Sequence, residues 1–376
     1  MFATSRLIIR TGLFAALMLA VALPALAAPS ITEFQITSYA SAKMTPSISG
    51  NYVVWADMLN GNSDIYGYNL LTSSLFPIAT NLSSQIQPCI SGNTVVWYDF
   101  RNGNWDIYGY DLTTATEFQI TRGAGQQMEP SIAGTTVVWA DDRNGSFDIY
   151  GYDLSGGKPA ADSDHFRITT GAGSEYGPSI SSNLVAWYDD RNGHFDIYGY
   201  DLTSPPEFRI TTNSAWQLDP AAQGNTSLSG NYVIWTDYRA GNPMTGVGDI
   251  YGYDVTGASE FAITTGGTYV RGGPAISGDT VVWHDTRNGT YDIYGYNLDT
   301  SSEFRITTSG GNETDAALDG DTVVWVDYRD NTYNIRGARI DYKPPQGDAT
   351  PELSSVSLLL LGMVPVGIAW WRRRRS

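Results

Sequence analysis

Carboxylate and guanidinium groups recur at fixed offsets through this 376-residue sequence, and their chemistry is the first thing to explain. Asp99, Arg101 and Asp106 reappear as Asp141, Arg143 and Asp148, and again as Asp189, Arg191 and Asp196. Carboxylates spaced around a loop are the oxygen ligands that Ca²⁺ takes, about six to eight at a time. The arginine between them opposes a cation, and aspartates bonded to their own turn account for the same residues without a metal. A group present in nearly every copy reads as scaffold. Leu59 replaces the arginine in the first copy, and Asn334 replaces the second aspartate in the last.

Catalytic constellations are sparse. His165, His194 and His284 fall in different copies and show no metal-ligand spacing. No Gly-x-Ser-x-Gly elbow stands out. Paired aspartates suit the acid and base roles of glycoside hydrolysis, but which of them meet is a three-dimensional question. The residues imply no cofactor and no metal.

A repeat must position these groups. Trp55, Trp97, Trp139, Trp187, Trp235, Trp283 and Trp325 recur at spacings of 42 or 48 residues, the period of stacked β-modules. Each tryptophan ends a β-branched run, and an aspartate follows two residues later. Turn residues such as Arg101-Asn102-Gly103 come next, and Asn-Gly predicts a hairpin in which both residues accept positive φ. Asp-Ile-Tyr-Gly-Tyr follows, from Asp64, Asp106, Asp148, Asp196, Asp249 and Asp292, with a weaker copy at Asn334. A Glu-Phe-x-Ile-Thr strand and a Pro-Ser-Ile-Ser-Gly strand complete the unit. In the order Pro-Ser-Ile, Val-Val-Trp, Ile-Tyr-Gly-Tyr, Phe-x-Ile-Thr, these are strands A, B, C and D. Gly67, Gly109, Gly151, Gly199, Gly252, Gly295 and Gly337 interrupt every strand C, and a strand glycine marks a close approach. A neighbouring tryptophan ring is expected over it.

The chain opens on an orphan strand D, Glu33 to Thr37, and its last unit, Asp315 to Asp341, lacks one. Seven complete units result only if the first strand joins the last unit and seals a ring. The predicted fold is an all-β, seven-bladed β-propeller closed by its N-terminal strand, spanning residues 28–343. The D–A and B–C loops then share one face. The D–A loops vary most between copies and place Tyr176, Trp216, Tyr269 and Arg271 near the mouth of the channel, with Glu129, Asp219 and Asp315 beside them. Aromatics among polar groups suit a protein or sugar ligand. The long B–C loop Arg239 to Gly248 is expected to form a rim on that face.

Over roughly residues 32–343 these motifs resemble the TolB-like, PD40-type propeller repeats, whose signature combines an Asp-Arg-Asn-Gly turn with Asp-Ile-Tyr. The resemblance implies a propeller, a periplasmic or surface habitat and a protein-interaction role. TolB carries an extra α/β domain for which this chain has no room, so membership of the Tol system is not implied.

Both ends read as targeting segments. Residues 1–27 have Arg6 and Arg10, an apolar stretch and Ala25-Leu26-Ala27, the pattern of a cleaved signal peptide. Residues 344–355 form a linker, and 356–376 an apolar segment stopped by Arg372, Arg373, Arg374 and Arg375. With Pro351 and Glu352 before it, this tail resembles the PEP-CTERM sorting signal, in which an exosortase processes the tail. Leu353 stands where that motif has its second proline. Residues 1–27 and 351–376 hold six arginines and one glutamate, which leaves 16 basic and 38 acidic residues, a net charge of −22. A body that acidic repels phosphate backbones, so nucleic acid is not an expected partner. Cys89 is the single cysteine and reads as a small core residue. The expected role is non-catalytic binding of an envelope protein or extracellular polysaccharide, from a periplasmic or surface position initially anchored by the tail. The alternative is a propeller enzyme, a lyase or glycoside hydrolase, acting on extracellular polysaccharide.

Overall fold

Ser30–Gln35 lies antiparallel to Asn334–Asp341, with Phe34 opposite Gly337, so the first and last strands share one sheet. This pairing, in a computed structural model describing residues 28–218, 227–329 and 331–342, closes a ring of seven sheets. The expected signal peptide, the linker, the C-terminal segment and Asp219 lie outside the described residues. Among the described residues no helix is long and apolar enough to cross a membrane.

Each sheet is one blade with strands in the order A-B-C-D. Blade 1 comprises Lys43–Ser49, Tyr52–Asp57, Asp64–Asn69 and Ser74–Ala79. Blade 2 runs Gln85–Ser91 to Thr116–Gln119, blade 3 Gln127–Ala133 to Phe166–Arg167, and blade 4 Glu175–Ser181 to Phe208–Arg209. In blade 5, strand A is described in two pieces, Gln217–Leu218 and Leu228–Ser229, both paired with Tyr232–Asn242. Blade 6 runs Arg271–Ser277 to Ser302–Arg305. Blade 7 takes strands A to C from Glu313–Asp319, Thr322–Asp327 and Asn334–Asp341, and strand D from the N terminus. The fold is the seven-bladed propeller that the strand deficit predicts.

The core lies between blades. Val54, Ala56 and Ile65 of blade 1 pack against Val95, Trp97 and Tyr108 of blade 2. The same contact closes the ring, where Val53, Trp55 and Tyr66 meet Ala317, Val324 and Ile335 of blade 7. The seven strand B tryptophans are all buried. Both faces of a middle strand are thus covered, which is why its sequence is a continuous apolar run rather than an alternation. Hydrogen bonds stitch the A–B turns of successive blades, as from Gly92 N to Ser49 Oγ at 3.0 Å. Across the seam Asp319 stands in for serine and accepts from Gly50 N at 2.6 Å.

Strand A slips register at its third residue in the six blades where that residue is described. Thr45, Gln87, Glu129, Gly177, Gly273 and Asp315 occupy these bulges, all with φ between 49° and 58°. Proline follows five of them. Lacking an N–H, proline is tolerated at a bulge where the ladder is already broken.

Two expectations are corrected. The strand C glycines face phenylalanine rather than tryptophan: a Cβ on any of the seven would lie 2.5–2.7 Å from the ring of Phe76, Phe118, Phe166, Phe208, Phe261, Phe304 or Phe34. Register is the reason, because strand D sets its phenylalanine directly opposite the glycine, whereas the strand B tryptophan lies opposite a tyrosine. In the Asn-Gly turns only the glycine takes positive φ, 89° at Gly103, and in blade 7 Asn331 holds that place at 57°. Gly103 N closes the turn on Phe100 O at 3.2 Å, and Asn102 instead spends its side-chain amide on Asp106 Oδ2 and Tyr108 Oη at 2.7 and 3.0 Å.

Phe34 is half-buried and covers Gly337 at the seam, so Phe34→Ala is expected to cost about 2 kcal/mol, below the range for a fully buried phenylalanine. Urea unfolding of the variant against the parent measures this, and an unchanged midpoint would show that the N-terminal strand does not hold the ring shut.

Candidate binding face

Strand register brings three polar residues together at one end of every blade. The first residue of strand A pairs with the aspartate ending strand B, which pairs with the residue starting strand C, as in Glu175, Asp189 and Asp196. All lie buried beneath the D–A and B–C loops. Asn104 shows that these loops share a face, because its Nδ2 donates to Gly123 O and Gly125 O of the D–A loop at 3.0 and 2.8 Å.

The recurrent Asp-Arg-Asp set is engaged internally. Asp99 accepts from Trp97 Nε1 at 3.2 Å, from Arg101 N at 2.9 Å and from Arg101 Nη2 at 2.6 Å. Arg101 stacks 4.1 Å above the Tyr108 ring and forks onto Glu117 of strand D. Blades 4, 5 and 6 repeat this with Arg191–Glu207, Arg239–Glu260 and Arg287–Glu303. Among the described residues no group of three or more His, Cys, Asp or Glu side chains is arranged to hold a metal ion.

The three histidines are separated and partnered differently. His165 occupies the place of the strand D glutamate in blade 3, where its Nδ1 lies 3.2 Å from Arg143 and its Nε2 3.1 Å from Ile120 O. Burial holds its pKa below the ordinary value. His194 Nε2 sits 3.3 Å from Asp196 Oδ1. His284, edge-on to Tyr291, has its pKa lowered by burial to about 4.

The predicted binding residues separate into two groups. Arg271 does not face the mouth as expected: it is buried, bridging Asp249 Oδ1 at 2.6 Å and Asp285 Oδ2 at 2.8 Å. There it fills a local charge deficit. Arg167, Arg209 and Arg305 of strand D neutralise the strand C aspartates of their own blades, but blade 5 has Ala262 there, and Arg271 reaches across from blade 6. Glu129 and Asp315 sit on strand A bulges, and each carboxylate caps the next blade's bulge, Glu129 on Gly177 N at 2.7 Å and Asp315 on the Thr45 backbone. Burial pushes both carboxyls up. Strands A of neighbouring blades contact one another, so these groups belong to the inner wall.

Tyr176, Trp216 and Tyr269 remain on the face. Trp216, 40 % exposed, packs edge-on to Phe195 at 5.5 Å. Phe195 meets Tyr188 at 5.3 Å and Tyr176 at 6.4 Å. Tyr176 stacks on Tyr188 at 5.7 Å and tilts against Phe147 at 5.1 Å. Five rings thus run from blade 3 to the loop entering blade 5. Phe147, Tyr188 and Phe195 were not among the residues expected from sequence. For Phe147 and Phe195 the signal is legible in the repeat, because the residue before the strand C start is aromatic in five copies: Trp105, Phe147, Phe195, Tyr291 and Tyr333.

The B–C loop of blade 5 extends its strands into a hairpin arm on this face. Asn242 pairs with Val247, and the Asn242 side chain caps Met244 N at 2.9 Å. The arm is tied at its base, by Tyr238 N to Trp216 O at 3.1 Å and Gly248 N to Tyr269 O at 3.3 Å. Met244 at its tip is largely exposed.

No protein-family model matches the sequence, and no curated protein matches it. Solved structures do. The β-propeller domain of the Trilobed protease from Pyrococcus furiosus aligns at a TM-score of 0.60 and 13% identity, over 82% of this chain and 100% of that one; its topology is described as open velcro, whereas Ser30–Gln35 closes the ring here. An oligogalacturonate lyase in complex with manganese aligns at 0.58 and 10% identity, over 84% and 97%. A puromycin-hydrolyzing peptidase of Mycobacterium tuberculosis aligns at 0.58 and 13%, over 76% of this chain and 49% of that one, so this chain spans about half that peptidase's length. A putative TolB from Agrobacterium tumefaciens aligns over 62% of this chain at 0.43; the fold assignment rests on the others. The chain is a seven-bladed β-propeller of the architecture found in these peptidases and this lyase.

Arg271→Met strands two buried carboxylates and is expected to cost about 3 kcal/mol in urea unfolding; a loss no larger than that of an exposed arginine would contradict its bridging role. His284 binds its proton more weakly folded than unfolded. Its contribution to stability is therefore complete above about pH 6.5 and is lost as pH falls toward about 4. Between those values, stability should fall less steeply in His284→Asn than in the parent, as read from thermal melts at stepped pH.

Proposed function

We propose that this chain is an exported, envelope-associated propeller that binds a partner through its D–A/B–C face without turning it over. The partner is an envelope protein or an extracellular polysaccharide. The observation that carries this reading is the run of five rings from Phe147 to Trp216, half-open on a face where Asp141, Asp189 and Asp196 are paired with or bonded to arginine. Aromatic rings supply large contact area at low conformational cost and recur at interface centres. The hairpin arm, held by hydrogen bonds to the backbones of Trp216 and Tyr269, adds a pre-ordered edge beside them.

The exit points of the chain favour the same face. Ser30 pairs with Asp341, and strand C ends on the side of the A–B and C–D loops. Tyr342, the last described residue, therefore lies at the end of its blade opposite the aromatic face. Export rests on the signal-like segment 1–27 and sorting on Pro351, Glu352 and the four terminal arginines.

Trp216→Ala is expected to weaken capture of envelope polysaccharide or protein at least tenfold, with no sugar released and no change in melting temperature. Release of reducing or unsaturated sugars by the parent, abolished by a carboxylate substitution on this face, would replace this reading with an enzymatic one.

A further inference from the structure

The blades also meet along grooves on the outer rim, each floored by the phenylalanine of strand D. Cover for that ring depends on the first residue of strand B. Blades 1 and 5 place tyrosine there, and Tyr52 and Tyr232 stand edge-on to Phe76 and Phe261 at 6.3 and 6.1 Å. Blades 2, 3, 6 and 7 have threonine, Thr94, Thr136, Thr280 and Thr322, which is too small to cover a ring.

The chain covers two of these gaps itself. In blade 6, Tyr342 sets its ring edge-on to Phe304 at 5.8 Å, with its hydroxyl 3.0 Å from Thr280 Oγ1. Phe304 is consequently only 8% exposed. In blade 2 the Lys158 ammonium lies 4.6 Å above the Phe118 ring. Lys158 belongs to the loop that follows strand C of blade 3, so that loop turns away from its own phenylalanine. Phe166 is accordingly 36% exposed. A cleft of about 440 Å³ opens over it between blades 3 and 4, with Thr136, Asp153, Arg167, Tyr200 and Leu202 in its walls. The matching cleft between blades 5 and 6, where Tyr232 intrudes, is about 300 Å³.

We propose that the cleft between blades 3 and 4 is a docking site for a tyrosine side chain presented by a protein partner. Tyr342 in blade 6 is the internal template. The incoming ring takes the edge-on position over Phe166 that Tyr342 holds over Phe304. Its hydroxyl meets Thr136, which stands where Thr280 stands. Asp153 occupies the position of Asn297 and can accept from the phenol as a second partner. Leu202 and Tyr200 supply the apolar walls, which favour a ring over an ammonium. The site lies on the rim, away from the five-ring run, and does not rest on the function proposed for that face.

The test uses the full chain and the acetylated peptide Ile-Asp-Tyr-Lys-Pro-Pro, residues 340–345 of this sequence, carrying fluorotyrosine and followed by ¹⁹F NMR. Saturable broadening is expected in the millimolar range, at least tenfold weaker in Thr136→Tyr, which gives blade 3 the ring that blades 1 and 5 already hold. Thr136→Val keeps the size, removes the hydroxyl and is expected to weaken binding about threefold, so misfolding of the tyrosine variant does not remove the test. Absence of saturation, equal binding by Thr136→Tyr, or equal competition by peptides carrying lysine or alanine in place of tyrosine would overturn the proposal.

Discussion

A buried aspartate at the end of strand B is the constraint around which each blade is built. Burying a carboxylate is costly unless it is hydrogen-bonded and paired. In six blades the indole N–H of the strand B tryptophan donates to it. In blades 2 to 7 the turn arginine pairs with it. That arginine then stacks on the strand C tyrosine in five blades and reaches the strand D glutamate in most of them. One charge thus ties strands B, C and D and fixes the turn.

The exceptions follow the same logic. Blade 1 has Leu59 in place of arginine, and Asp57 there accepts from Tyr39 Oη at 2.7 Å and Ser41 Oγ at 2.5 Å, with buried Lys43 opposite in register. Blade 3 lacks the strand D glutamate, and His165 receives Arg143 instead. Blade 5 lacks the strand D arginine, and Arg271 crosses from blade 6. In these three cases another group fills the place of the missing charge, as a low-dielectric interior favours; blades 1 and 2, with Pro77 and Gln119 at the strand D arginine position, satisfy Asp64 and Asp106 with neutral amides instead.

Closure uses no additional device. Phe34 covers Gly337 as Phe118 covers Gly109, and Thr37 Oγ1 accepts from Ile335 N at 2.9 Å as Thr121 Oγ1 accepts from Ile107 N at 2.8 Å. Glu33 meets Arg329 as Glu117 meets Arg101. The seam blade is therefore chemically an ordinary blade whose fourth strand arrives from the other end of the chain. Individuality is confined to what the repeat leaves free: the rings above the aspartate row, the arm of blade 5 and the uneven cover of the rim phenylalanines.

Architecture was legible because it is written as period and count: seven tryptophans, seven glycines, and a surplus strand at one end matching a deficit at the other. The scaffold role of Asp99, Arg101 and Asp106 was legible for the same reason, since repetition in nearly every blade argues for a shared local bond. Which ring covers the strand C glycine was not, because that depends on register between strands C and D, and the sequence alone does not state register. Arg271 was misplaced because its partners, Asp249 and Asp285, belong to two blades, and a charge that crosses between modules is invisible to a reading made one repeat at a time. Tyr176, Tyr188 and Phe195 meet within blade 4, and Phe147 and Trp216 join them only when neighbouring blades stack. The sequence by itself determined the module and its number; the tertiary structure decided which side chains from different modules meet, because those contacts are set by packing between blades rather than by distance along the chain.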